Sequence, residues 1–93
     1  MLLNNNGKEK VIEFLNLLKS RNQKLNDERV ERFLKEAFEL VENNEYGVGL
    51  ENILENLYEF GINLNQKQIT TAKEAIQKMN LNWEEWKFIE NLK

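Results

Sequence analysis

Asp27-Glu28-Arg29-Val30-Glu31-Arg32-Phe33-Leu34-Lys35-Glu36-Ala37-Phe38-Glu39-Leu40-Val41-Glu42-Asn43 has the cleanest hydrophobic period in the chain. Val30, Phe33, Leu34, Ala37, Phe38 and Val41 recur at intervals of three and four, so they fall on one stripe of an α-helix with charged residues opposite. Asn26 or Asp27 supplies an acceptor for the free N–H groups at its start, and the pattern ends near Asn43. The same spacing extends outward in both directions, and strict alternation never persists for the length of a strand. The class expected is therefore all-α.

Upstream, Lys8 to Ser20 places Val11, Phe14, Leu15 and Leu18 on one face, widened by Ile12 and Leu17, which predicts a well-buried first helix. Arg21 to Leu25 is polar and interrupts that pattern. Downstream, the glycines of Asn44-Glu45-Tyr46-Gly47-Val48-Gly49 each weaken a helix by up to about 1 kcal/mol relative to Ala, which points to a helix start or a close backbone approach. Tyr46, Leu50, Ile53, Leu54 and Leu57 then form a third stripe ending at Phe60. Gly61 suits a left-handed position after it, and Ile62 is placed to pack back on Leu57.

Asn65 with Gln68 is an amide version of the capping box, and Leu64 with Ile69 makes a hydrophobic staple, so a fourth helix starts near Gln66 and buries Ile69, Ala72, Ile76 and Met79. Asn82 with Glu85 and Leu81 with Trp86 repeat both devices and predict a last helix carrying Trp83, Trp86, Ile89 and Leu92. Residues 1–93 thus read as one compact domain of about five helices with short connections. The fifteen asparagines are many for this length and are assigned to caps and loops.

With 93 residues there is no room for a second domain, and nearly every large apolar residue is needed for the core. The chain has no Cys, His or Pro. That excludes disulfides, thiolate ligands, His-activated nucleophiles, the usual zinc sites and haem or iron–sulfur ligation. Carboxylate chemistry remains, but it needs a pKa moved by burial or by a neighbour in a cleft, and no pattern here signals one. No EF-hand loop and no Glu-x-x-His are present. The expectation is a protein with no catalytic residues, cofactor or metal. MLLNNNGKEK lacks a signal-peptide apolar run and no stretch of about 18 apolar residues occurs, so a cytoplasmic protein without membrane contact is expected.

The net charge of −3 hides an uneven distribution. No basic residue lies between Lys35 and Lys67, while Glu36, Glu39, Glu42, Glu45, Glu51, Glu55 and Glu59 all do, leaving nine acids against all thirteen bases elsewhere. A nucleic-acid partner is disfavoured, because phosphates repel such a surface. On the third helix Glu51, Glu55 and Glu59 share the face opposite Leu50, Ile53 and Leu57, with Asn52 and Asn56 beside them and Tyr58 on the border. Like charges at i, i+4 cost a few tenths of a kcal/mol per pair, and no Lys or Arg at adjacent helical positions relieves them. The strip reads either as a solvated acidic face or as a docking surface for a basic partner.

The run Glu45-Tyr46-Gly47-Val48-Gly49-Leu50-Glu51-Asn52-Ile53-Leu54-Glu55-Asn56-Leu57-Tyr58-Glu59 resembles the central signature of MafI-type immunity proteins of bacterial polymorphic-toxin and contact-dependent inhibition systems. In that signature a Glu-x-Gly-Val-small-Leu-Glu stretch leads into Asn-Leu-Tyr-Glu, and Gly49 stands where the pattern has Ala. The strong overlap covers about fifteen residues; the apolar helix before it and the Trp-containing C-terminus agree in layout. The resemblance implies a non-catalytic protein that binds one cognate toxin domain, 1:1, and occludes its active site or substrate groove. Many such toxins are nucleases, whose phosphate-binding grooves are basic. The implied contacts are Glu51, Glu55 and Glu59, aided by Glu42, Glu45 and Asn52, with Tyr58 and Tyr46 as aromatic anchors. Gly47, Gly49, Leu50 and Leu57 would serve the fold. A structural or regulatory adaptor that self-associates through apolar surface is the alternative, and self-association is not the favoured expectation.

Overall fold

Each long helix in this chain stops where a residue turns left-handed, and asparagine usually does the turning. In the computed structural model, which describes residues 5–93, α1 spans Asn5–Leu25, α2 Glu28–Glu42, α3 Tyr46–Glu59, α4 Gln66–Lys78 and α5 Trp83–Trp86, followed by a 3-10 helix over Lys87–Leu92. Asn26, Asn44, Gly61 and Asn80 follow the four long helices with φ of 55°, 65°, 62° and 59°. After α2, α3 and α4 the two bonds of a Schellman ending are present: Glu45 N–H to Leu40 O, Ile62 N–H to Leu57 O and Leu81 N–H to Ile76 O, accompanied by Asn44 N–H to Val41 O, Gly61 N–H to Tyr58 O and Asn80 N–H to Gln77 O. The high asparagine content thus has a physical use, since Asn tolerates the left-handed region better than other residues with a Cβ.

The polar stretch Arg21–Leu25 does not interrupt α1, contrary to the sequence expectation. Arg, Gln, Lys and Leu are all good helix formers, so polarity marks exposure there and not a break. The helix ends one turn later. Asn26 N–H bonds to Asn22 O, and the buried Asn22 carboxamide accepts from Asp27 N–H and donates to Asp27 O, which clamps the corner into α2. Asp27 then caps α2 by accepting from Arg29 N–H at 2.9 Å.

α1 is the hub, packed against α4, α2 and α3, while α2 also lies along α3. Its Val11, Phe14 and Leu15 are fully buried, each such burial contributing about 1.5–3 kcal/mol. Ile12 and Leu17 are only half-buried, so the stripe is narrower than the spacing suggested. Gly49 marks a close approach of α3 to α2: a Cβ there would lie 3.2 Å from Ala37 O and 3.4 Å from Leu40 Cβ.

The capping box at α4 is complete, with Gln68 N–H to Asn65 Oδ1 and Asn65 N–H to Gln68 Oε1 both at 2.8 Å. Gln68 is buried and does more, accepting from Arg21 Nη1 at 2.9 Å and so tying α4 to α1. The expected single last helix is instead one α-turn and a 3-10 helix. The Asn82 side chain accepts from Glu84 N–H while Glu85 N–H bonds the Asn82 backbone carbonyl, and the chain tightens after Trp86 so that Ile89 and Leu92 reach the core while Leu64 N–H bonds Leu92 O at 2.7 Å. Trp83 is half-buried in a separate cleft on α4, its ring under Lys73 at 5.6 Å. Among the described residues there is no strand, and no helix is long and apolar enough to cross a membrane.

Candidate functional site

α3 carries the acidic strip because its buried side is fully committed: Leu50, Ile53, Leu54 and Leu57 have no exposure, which turns Glu51, Glu55 and Glu59 outward. Glu55 and Glu59 are exposed, and Glu51, Asn52 and Asn56 are half-buried, with Asn56 Nδ2 donating to Asn52 Oδ1 at 3.3 Å. The ion pairs among the described residues are Lys10 with Glu13 and Glu74, Arg29 with Asp27, Lys73 with Glu90 and Lys87 with Glu84. None involves Glu42, Glu45, Glu51, Glu55 or Glu59. No ion pair among the described residues therefore reaches the strip, although Lys8 of α1 comes to Asn44 and Tyr46 on either side of Glu45. Glu55 and Glu59 also stand in the last turns of α3, which have no basic residue, next to the negative end of the helix dipole.

The strip's C-terminal half meets the end of the chain. Glu55, Tyr58 and Glu59 of α3 and Glu85, Trp86 and Phe88 line an open groove of about 420 Å³. Its aromatic side is continuous, with Tyr58 and Phe88 rings 4.5 Å apart and Trp86 and Phe88 rings 5.9 Å apart. Tyr58 is 59% exposed. Trp86 Nε1–H is buried without an acceptor, a loss of about 1–3 kcal/mol for a polar group. Among the described residues no three carboxylates converge closely enough to hold a metal ion.

The remaining predicted contact residues lie elsewhere. Glu45 and Tyr46 sit at the start of α3, about 20 Å along the helix from Glu59, and Glu42 is the last residue of α2. Tyr46 is half-buried, and Lys8 covers its ring at 5.2 Å while reaching Asn44 Oδ1 at 3.4 Å, so it is a packed residue more than an exposed anchor. Glu85 and Phe88 were not among the predicted contacts. Glu85 read as a capping residue, and Phe88 comes beside Tyr58 only because the C-terminal segment folds back on α3. No pattern local to residues 81–92 signals that meeting.

No family model, curated protein or solved structure matches this chain.

Proposed function

We propose that this chain is an immunity protein that neutralises a cognate toxin domain by laying the acidic face of α3 over a basic active site or substrate groove. What carries the reading is the set of three carboxylates at Glu51, Glu55 and Glu59, held at i, i+4 and i+8 with no ion pair to them among the described residues. A basic partner relieves that repulsion, steers association and fixes register. The resemblance of residues 45–59 to the MafI signature specifies a toxin as the partner, in a non-catalytic role.

Mixing the chain with the toxin domain encoded beside it should give a 1:1 complex by sedimentation and suppress the toxin's activity. Converting Glu51, Glu55 and Glu59 to Lys should weaken that complex by orders of magnitude; unchanged affinity and salt dependence would remove the acidic face from the mechanism. A self-associating adaptor is the second reading, favoured by the shallow apolar groove that Ile12, Asn16 and Leu17 line on α1. A monomer at micromolar concentration excludes it.

A further inference from the structure

We propose that residues 83–92 form a latch that docks on α3 and α4 and lifts from them as one unit, holding Tyr58 in place while it is docked. The proposal stands whether or not α3 faces a toxin. Its signal is a spacing of three. Trp86, Ile89 and Leu92 are 7%, 0% and 9% exposed. The 3-10 helix over Lys87–Leu92 stacks them in one row, because it has three residues per turn. An α-helix would swing each of them about 60° from the last and carry Leu92 about 120° away from Trp86.

The row exists only against the body of the protein. A 3-10 helix over Lys87–Leu92 is longer than the usual run of about three or four residues, and its hydrogen bonds are poorer than those of an α-helix. Burial of the row is what selects it, so docking and 3-10 shape are gained and lost together.

Polar ties to the body stand at the far end of the segment. Leu64 N–H bonds Leu92 O at 2.7 Å, and Lys73 pairs with Glu90 at 2.8 Å between side chains 45% and 50% exposed, where an ion pair contributes little. At the near end the buried Trp86 N–H has no acceptor, and release returns it to water. A segment held mainly by one apolar row is the kind of unit that opens below global unfolding.

Lifting it changes α3. The Phe88 ring lies 4.5 Å from that of Tyr58 and 5.9 Å from that of Trp86, so the docked segment backs a ring that is 59% exposed on its other side. With the latch lifted, Tyr58 loses that backing and the flank of α3 beneath meets water.

Native-state hydrogen exchange on the full chain, followed by NMR across low urea concentrations, tests this. The N–H of Leu64, whose acceptor is Leu92 O, should share one protection factor with those of Ile89 and Leu92. That shared value should lie at least about thirtyfold below those of Phe14 and Leu15 in α1 and depend less on urea. Ile89→Ala, or Ile89→Val should the first not fold, should lower it further and move the Tyr58 ring resonances. Protection and urea dependence equal to those of Phe14 mean that the segment leaves only on global unfolding, and unequal values at Leu64 and Leu92 mean that it frays residue by residue; either overturns the latch. An unmoved Tyr58 ring in the variants overturns its hold on α3.

Discussion

Asn80 shows what a single residue decides in this fold. With φ of 59° it ends α4, and its N–H reaches Gln77 O at 3.1 Å. Asn80→Gly should leave stability unchanged or raise it by a few tenths of a kcal/mol, whereas Asn80→Ala should lower it by about 1 kcal/mol, both read by thermal unfolding. Asp27 has its carboxyl pKa lowered by its neighbour. Hydrogen bonds from the Arg29 guanidinium, at 2.8 and 3.1 Å, together with the Arg29 N–H, hold its carboxyl down to about 2. A depressed folded pKa stabilises the fold above the unfolded value near 4 and loses that contribution as pH falls from about 4 to about 2. Asp27→Asn keeps the cap but should flatten this acid limb in unfolding midpoints measured across pH. Asp27 as a cap was legible from its place before a periodic stretch. The ion pair that lowers its pKa was not, because a side-chain rotamer has no signature in spacing.

The glycines of α3 act through the packing of helices. Gly47 has room, since an added Cβ would meet only Met79 Cε at an ordinary 3.7 Å, while Gly49 has almost none against the α2 backbone. Gly47→Ala should therefore stabilise the protein by about 0.5–1 kcal/mol through helix propensity. Gly49→Ala should destabilise it by about 1 kcal/mol despite the same gain, because Ala37 O belongs to a helix that must shift to make space. Parallel denaturant melts check the opposite signs. The Ala that the MafI pattern has at this position would need α2 and α3 a few tenths of an ångström farther apart. Gln68 belongs to the same scale. Its pairing with Asn65 was readable as a capping box, but its bond to Arg21, 47 residues away, was not. Gln68→Ala should cost about 2 kcal/mol by unfolding, since it opens the cap and leaves the Arg21 guanidinium short of an acceptor.

At the scale of the molecule, charge is segregated along the chain. The α1 bases that reach the acidic stretch, Lys8, Lys19 and Arg21, meet Asn44, Tyr46, Phe38 and Asn63 there and form no ion pair with its carboxylates among the described residues. The ion pairs lie within α1, between α1 and α4, at the α2 start, between α4 and the C-terminal segment, and within that segment. The radius of gyration, 12.3 Å, is that of a compact chain of this length, and the 19 Å short axis leaves no interior for an enclosed ligand chamber. Association with a basic toxin domain should slow on the order of tenfold between low and high salt, measured by stopped flow, with dissociation changing much less. A salt-independent rate would mean that the acidic side does not face the partner.

Periodicity and end signals were enough to determine the all-α class, the Schellman close at Gly61 and the capping box at Asn65, because those depend on bonds between residues at most five apart. They also placed Glu51, Glu55 and Glu59 on one outward face. Tertiary structure decided the rest: that among the described residues no ion pair reaches the face, that Tyr46 is covered by Lys8, and that Glu85 and Phe88 join Tyr58 around a groove. These depend on where the C-terminal segment and α1 come to rest, and that is settled by packing between segments tens of residues apart.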